Sequence, residues 1–194
     1  MFELAAFDFD GTLTRRDTFI DFARWSVGWP RLAVALMCSL PAIARWKLGR
    51  LDSGKAKETL FGHLFAGLPA EEFDRLGRDY ARRIRQITRP EIVGWMGALM
   101  VEGTPACIVT ASLRNWVEPW AKSMGVGKVI ATEAEVGPDG RLTGRFATPN
   151  CRGPEKVRRL KEAYPDLNPA RLIAYGDSSG DNELLAFAGS GVRI

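Results

Sequence analysis

The chain has 194 residues, of which 46% are hydrophobic and 26% charged, and this composition suits one hydrophobic core with at most a small accessory domain. Its net charge of +4 comes from scattered Lys and Arg residues, without an RNA-binding motif or a basic helical stripe, which argues against a nucleic acid partner. Three widely spaced cysteines and a single histidine, His63, exclude a disulfide framework and a zinc site with the usual ligands, and they favour the cytoplasm.

The first predicted element is a buried strand, Leu4 to Phe7, which leads into Asp8-Phe9-Asp10-Gly11-Thr12-Leu13-Thr14. Side chains alternate along a strand, so Asp8 and Asp10 point the same way. Two adjacent carboxylates repel each other unless a cation or a shared proton relieves the repulsion, and hard oxygen ligands favour magnesium. The loop therefore predicts a divalent cation site. An acidic turn with two solvated carboxylates is the alternative for the Asp-x-Asp pair taken alone.

Residues 15–88 read as consecutive helices separated by glycine or proline signals. The predicted helices are Thr18 to Val27, Arg31 to Lys47, Ser53 to Phe65 and Pro69 to Ile87. Because this insert directly follows the acidic loop, we expect it to form a cap over the carboxyl end of the sheet, where ligands bind in such folds.

Within the cap, residues 29–46 form an almost wholly apolar stretch that is bracketed by Trp29 and Trp46 and by basic residues at both ends. The stretch is too short, and interrupted by Pro41, for a spanning helix of ~20 apolar residues. A buried cap helix is one interpretation. The other is a helix that lies at a membrane surface, because tryptophans and basic residues around an apolar body suit that interface.

The second half alternates between predicted strands and helices, which indicates an α/β fold with a parallel sheet between layers of helices. The strands are Ala106 to Val109, Lys128 to Ala131, Leu172 to Tyr175 and a short Gly191 to Ile194, and the helices are Pro90 to Glu102, Leu113 to Met124 and Pro154 to Tyr164. The turn Gly137-Pro138-Asp139-Gly140 predicts a small hairpin. The predicted division is a core of residues 1–14 and 89–194 and a cap of residues 15–88.

Thr110-Ala111-Ser112 follows a strand and precedes a helix, where hydroxyls and free N–H groups favour an anion, although Ser112 could simply cap the helix. Lys156 lies in the first turn of a helix, where the dipole disfavours a cation, so a phosphate or an aspartate should compensate it. A solvated basic face is the alternative for this lysine. Asp177 and Asp181 again place carboxylates at a strand end, although Asp181 alone could serve as a helix N-terminal acid.

These four segments, in this order, resemble the four motifs of the haloacid dehalogenase superfamily of phosphotransfer enzymes. The helical insert after the first motif resembles the phosphoserine phosphatase-like branch. Asp17-Thr18-Phe19 and residues 150–156 are also loosely similar to sequences of the phosphatidylglycerophosphatase C type. The resemblance implies a Rossmann-like core with an inserted all-helical cap.

The resemblance also implies a magnesium-dependent phosphomonoesterase that acts through an aspartyl-phosphate, on a phospholipid-type or small-molecule phosphate ester. Asp8 would be the nucleophile, and Asp10 the general acid and base. The resemblance further implies that phosphate is bound by Thr110, Ala111, Ser112 and Lys156. It implies that Mg²⁺ is bound by Asp8, Asp177, Asp181 and the backbone carbonyl of Asp10. Asp17 and Phe19 would contact the substrate.

Two positions depart from the phosphoserine phosphatases: Gly180 replaces an asparagine that helps to hold phosphate, and Asp17 stands near the place of a glutamate that recognises the substrate amine. Phosphoserine or another soluble metabolite therefore remains the alternative substrate. A non-catalytic membrane-surface or partner-binding module is the alternative of another class. We expect a cytoplasmic protein, for which a peripheral contact of residues 29–46 with the inner face of the membrane stays open beside the buried cap helix. The oligomeric state and the completeness of the C-terminus stay open.

Overall fold

The computed structural model describes residues 2–194. Its main sheet has five parallel strands in the order β3-β2-β1-β6-β7. These strands are β1 (Leu4–Phe7), β2 (Ala106–Leu113), β3 (Lys128–Thr132), β6 (Leu172–Gly176) and β7 (Ser190–Arg193). The predicted α/β fold with a parallel sheet is confirmed.

The central strand β1 is completely buried and pairs with β2 on one side and β6 on the other. Ala6 pairs with Cys107 and with Ala174, so the ends of these three strands meet at one edge. Strand β2 extends four residues beyond its predicted end at Val109, with an irregular register against β3. The three segments that follow β1, β2 and β6 are thus brought together.

Seven helices surround the sheet in the described part of the chain. They are α1 (Thr18–Lys47), α2 (Ser53–Phe65), α3 (Ala70–Ile84), α4 (Pro90–Val101), α5 (Arg114–Ser123), α6 (Pro154–Ala163) and α7 (Asn182–Phe187). Gly28 interrupts α1 with a φ of 78°, which confirms the predicted break between two cap helices.

The predicted hairpin is present as β4 (Ala134–Val136) and β5 (Leu142–Phe146). It packs against α2, where a Cβ added to Gly62 would lie 3.1 Å from the carbonyl oxygen of Gly144. The N–H of Leu142 also donates to the carbonyl of Leu68 at 2.9 Å. The hairpin therefore ties the helical insert to the second half of the chain.

A shared hydrophobic core joins the insert to the sheet domain. The ring of Phe22 in α1 stacks on Trp116 in α5, with 4.5 Å between the ring centroids. Phe22 also packs on Phe65 and Tyr80 from α2 and α3. Because one aromatic cluster spans both parts, the insert is fixed over the sheet.

Helix α1 buries only a narrow face, which includes Leu32 and Ala35. Its outer face exposes large apolar side chains: Trp29 is 56% exposed and Met37 is 68% exposed. By length and composition alone, α1 would be long and apolar enough to cross a membrane, and 17% of its most apolar window is buried. The interpretation as a buried cap helix is therefore wrong for this outer face.

Candidate active site

Asp8 is the first residue after β1 and is buried at the edge where the three strands end. Its N–H donates to the carbonyl of Tyr175 at 2.9 Å, which fixes the backbone between β1 and β6. One wide turn over Phe9–Leu13 follows. Gly11 is needed there for two reasons: its φ is 81°, and a Cβ would overlap the carboxylate of Asp177.

Lys156 is buried in the first turn of α6 and binds two carboxylates. Its Nζ lies 2.5 Å from an oxygen of Asp8 and 2.5 Å from an oxygen of Asp181. With only 2% of its surface exposed, Lys156 is not part of a solvated basic face. The expected compensation of this cation by aspartate is present.

Burial and these contacts shift the pKa values of Asp8, Asp181 and Lys156 in different directions. Burial raises the pKa of Asp8 to about 7, and the charge of Lys156 offsets part of this increase. Burial alone would raise the pKa of Asp181 as well. Lys156 and the hydrogen bonds from Ser178 lower this pKa more strongly, so it lies below the usual value. Burial alone would lower the pKa of Lys156, and its two carboxylate partners raise it instead. Lys156 is therefore a permanent cation at this site.

A third carboxylate, Asp177, completes an acidic group with Asp8 and Asp181, in which one oxygen from each residue lies within 4.8 Å of the others. The hydroxyl of Thr12 donates to Asp177 at 3.4 Å. Burial, followed by the charge of Asp181, raises the pKa of Asp177. The three carboxylates together offer the hard oxygen ligands that a divalent cation prefers.

The carboxylate of Asp10 lies outside this group and is held by hydroxyls instead. Its Oδ1 accepts from the N–H of Thr18 at 2.9 Å and from the Thr18 hydroxyl at 2.6 Å. Its Oδ2 accepts from the Ser112 hydroxyl at 2.5 Å. The indole N–H of Trp116 donates to the Thr18 hydroxyl at 3.0 Å, so the start of α1 and a buried tryptophan orient Asp10. Burial, then the charge of Asp17, raises the pKa of Asp10.

The structure places Ser112 differently from both sequence interpretations. It is completely buried behind Asp10 and does not itself line the cavity described below. Nor does it cap a helix, because α5 begins at Arg114 and Leu113 occupies the cap position. Thr110 and Ala111, which were predicted with it, do line the cavity.

A cavity of about 550 Å³ lies between the sheet edge and the cap. From the core it is lined by Asp8, Asp10, Thr110, Ala111, Lys156, Asp177 and Asp181, and from the cap segment by Asp17, Phe19, Leu36, Ile43, Trp46, Lys57 and Leu60. The structure therefore brings the predicted site residues together around one space, Ser112 excepted.

Four of the cations that line this cavity are absent from the sequence predictions: Arg15, Arg16, Lys57 and Arg152. The Nζ of Lys57 donates to the carbonyl of Ala111 at 2.9 Å and lies 5.0 Å from the ring centroid of Phe19. No local motif marks this lysine, because only the fold of α2 over β2 brings it to the site. Thr18 and Trp116 went unassigned to the site for the same reason.

Replacing Lys156 by methionine is expected to lower the free energy of unfolding by about 3 kcal/mol, because two buried carboxylates lose their cation. The loss should be smaller at about pH 5 than at about pH 8, since protonation relieves a carboxylate whose pKa the substitution raises. Urea unfolding in a chelator at both pH values measures this. Lys122→Met, at an exposed position, is the matched control. Equal stability of the Lys156 variant and the wild type at the higher pH would contradict the assignment.

Comparisons with known proteins point to one family. A sequence model of the haloacid dehalogenase-like hydrolases matches residues 5–186. The protein CicA of Caulobacter vibrioides is 36% identical over 194 residues, covering 98% of this chain and 86% of CicA. A crystal structure of a protein of unknown function from Bordetella pertussis Tohama I is 30% identical and has a TM-score of 0.75, covering 94% of this chain and 85% of that one.

The fold is also that of phosphoserine phosphatase. A structure described as a phospho-aspartyl intermediate analogue of that enzyme superposes with a TM-score of 0.66. The identity is 20%, and the match covers 96% of this chain and 83% of the other. The predicted α/β fold with a Rossmann-like core therefore has a counterpart among solved structures.

Proposed function

Because the chain belongs to the haloacid dehalogenase-like hydrolases, we propose that it is a magnesium-dependent phosphomonoesterase that works through an aspartyl-phosphate on Asp8. The observation that carries this proposal is the convergence of three carboxylates and Lys156 on the floor of one cavity. A non-catalytic binding module would have no use for a buried carboxylate beside a buried lysine in this cavity. The phosphoserine phosphatase fold supports the same reaction class.

The acidic group fits magnesium by the chemistry of its donors. Asp8, Asp177 and Asp181 offer hard carboxylate oxygens within 4.8 Å of one another, and the backbone carbonyl of Asp10 follows in the same turn. When bound, Mg²⁺ supplies positive charge that offsets the repulsion between a carboxylate nucleophile and a phosphate dianion.

In the proposed reaction, Asp8 attacks phosphorus and the ester oxygen leaves, which divides one difficult displacement into two easier ones. Lys156 holds an oxygen of Asp8 at 2.5 Å and so fixes the orientation of the nucleophile. The Thr110 hydroxyl and the Ala111 N–H stabilise the equatorial oxygens of the phosphoryl group.

Asp10 supplies the proton in the first step and removes one from water in the second. Burial raises its pKa, which favours the protonated form that a general acid requires. Two hydroxyls, from Thr18 and Ser112, keep its carboxyl group in place between the steps. Breakdown of the acyl phosphate then returns Asp8 to its free form.

The magnesium requirement has a direct test in hydrolysis of an aryl phosphate and in thermal unfolding. At a concentration of about 100 times its Kd, Mg²⁺ should stabilise the wild-type protein by about 2.7 kcal/mol. Asp177→Asn should lose most of this stabilisation and most of the activity. Asp166→Asn is the control, because Asp166 is an exposed carboxylate outside the cavity. Activity in excess chelator that equals activity with Mg²⁺ would refute the requirement.

For the substrate, we propose a phosphate ester with an apolar body, of phospholipid type. The cap side of the cavity is walled by Leu36, Ile43 and Trp46 from α1. This wall suits an apolar leaving group better than a small polar one. A screen of phosphatidylglycerophosphate, phosphoserine and sugar phosphates tests this substrate assignment. A preference for the soluble esters would contradict it and indicate a phosphatase of soluble metabolites.

We also propose that the outer face of α1 binds the anionic inner surface of the membrane. Residues 22–51 contain no Asp or Glu, and the exposed apolar side chains are accompanied by exposed Arg45, Lys47 and Arg50. Arg31 is also exposed, but its guanidinium donates to the carbonyl of Leu64 at 3.0 Å. Among residues 2–194, no carboxylate forms an ion pair with any of these four cations. An apolar face with unpaired cations matches anionic lipid in both respects.

Co-sedimentation with phosphatidylglycerol vesicles is the test. The wild-type protein should bind these vesicles and should bind phosphatidylcholine vesicles much less. Trp29→Ser with Met37→Ser should weaken binding at least about tenfold, since two exposed apolar anchors are lost. Trp95→Ser, a 48% exposed tryptophan on α4, is the matched control. Equal binding by the wild type and the α1 variant would exclude this surface.

A further inference from the structure

Gly180 lies in the turn between β6 and α7, next to Asp181, and it lines the cavity. It is not among the glycines with positive φ, so its backbone conformation would suit other residues. The constraint is steric instead: a Cβ at this position would lie 2.7 Å from Nε and 2.8 Å from Cγ of Arg152. The missing side chain makes room for an arginine that lies across the turn.

Arg152 is held in this place by both of the segments that meet there. Its Nη2 donates to the hydroxyl of Ser179 at 2.9 Å. The N–H of Gly153, the next residue, donates to the carbonyl of Gly180 at 2.8 Å. The segment that precedes α6 and the turn that follows β6 are thus joined through backbone and side chain, and Arg152 lines the cavity.

The charge of Arg152 is available to a ligand. Lys156 is neutralised by two carboxylates, whereas no carboxylate oxygen within residues 2–194 lies within 4.0 Å of a nitrogen of Arg152. The guanidinium has five N–H donors, and one hydroxyl uses one of them. Its exposure keeps its desolvation cost small, and a planar fork of donors matches the oxygens of a phosphoryl group.

We propose that Arg152 binds a non-bridging oxygen of the substrate's phosphoryl group and that Gly180 is required because it admits this side chain. The inference rests on the proposed phosphatase function and adds a phosphate-binding residue to it. Gly180 lies against this guanidinium, since a Cβ there would lie 2.7 Å from its Nε. The two positions therefore act as a pair.

The pair is tested by calorimetric titration of inorganic phosphate into the Mg²⁺-loaded protein, which requires no turnover. Arg152→Ala should weaken phosphate binding about tenfold, the size expected for one charge-assisted hydrogen bond at an exposed site. Arg152→Lys should give an intermediate loss, since the charge remains but the fork is lost. Gly180→Ala should also weaken binding, because the added methyl group displaces Arg152.

The double variant distinguishes a pair from two independent effects. Gly180→Ala combined with Arg152→Ala should bind phosphate as Arg152→Ala does, because the methyl group then has no arginine to displace. Arg158→Ala is the control, since Arg158 lies on the exposed face of α6 and pairs with Glu155 and Glu162.

Unchanged phosphate binding in Arg152→Ala, or additive losses in the double variant, would overturn the inference. A loss of affinity only for esters that carry a second anionic group would also overturn it, because Arg152 would then bind the leaving group. If Arg152 governs phosphate affinity but the wild-type protein hydrolyses none of the esters, the inference stands and the proposed function fails.

Discussion

Asp8→Asn is expected to lower the rate of phosphate ester hydrolysis by at least about 10⁴-fold, because the variant has no carboxylate to attack phosphorus. Folding should be nearly unaffected. Burial raises the pKa of Asp8 to about 7, so its charge is costly in the folded protein, and the neutral amide has almost the same shape. Lys156 keeps its second partner, Asp181, at 2.5 Å.

Initial rates with an aryl phosphate and urea unfolding of the same preparation measure the two parts of this prediction. The unfolding free energy should change by about 1 kcal/mol or less. Asp166→Asn, a carboxylate-to-amide change at an exposed position, should retain full activity. Undiminished turnover by Asp8→Asn would contradict the assignment of Asp8 as the nucleophile. A loss of activity explained by unfolding of the variant would leave this assignment without support.

Asp10→Asn is expected to depend on the leaving group. For an alkyl phosphate, kcat/KM should fall by about 10²- to 10⁴-fold, because the departing alkoxide needs a proton from Asp10. For a nitrophenyl phosphate the fall in kcat/KM should be much smaller, since that leaving group departs as a stable anion. The value of kcat should fall for both esters, because breakdown of the acyl phosphate still needs a base.

The comparison of alkyl and aryl esters with one variant also controls for misfolding, because misfolding would lower kcat/KM equally for both esters. Equal losses would therefore contradict the assignment of Asp10 as a general acid. Thr18 offers a second test, since its hydroxyl and N–H both donate to the carboxylate of Asp10. Thr18 positions Asp10 but does not protonate the leaving group. Thr18→Val should reproduce the same leaving-group pattern with a smaller effect.

The parts of the fold that the sequence predicts are those with local signals. Strand β1 is an apolar run that ends at a glycine-containing acidic loop, and the β6 segment repeats this pattern, so both were placed closely. The break at Gly28 also has a local signal, and the backbone there leaves the helical region with a φ of 78°. The sequence predicts the end of β2 four residues too early, because the irregular pairing of this strand with β3 depends on a distant partner.

The sequence predicts those residues of the site that lie next to the predicted strands. Asp8, Thr110, Lys156 and Asp177 converge because β1, β2 and β6 are neighbours and α6 begins beside them. The hydroxyls that hold Asp10 were not predicted: Ser112 was interpreted as a phosphate ligand, and Trp116 reaches Thr18 across 98 residues of chain. Such contacts have no signature in local periodicity.

The outer face of α1 shows the same limit. Composition identified the apolar stretch 29–46 but could not determine which side chains face the cap, since the apolar residues surround the helix. The structure assigns Leu36 and Trp46 to the cavity wall and Trp29 to the outer surface. One helix can therefore contribute both to substrate binding and to the proposed membrane contact.

Direct detection of the phosphorylated residue is the measurement closest to the central claim. The Mg²⁺-loaded Asp10→Asn variant, incubated with a radiolabelled nitrophenyl phosphate and quenched in acid, should carry nearly stoichiometric label that hydroxylamine releases, since acyl phosphate breakdown lacks its base. Peptide mapping should place this label on Asp8, and the variant that combines Asp8→Asn with Asp10→Asn should carry none. Label on another residue, or turnover by the wild type with no labelled intermediate in either protein, would contradict the aspartyl-phosphate mechanism.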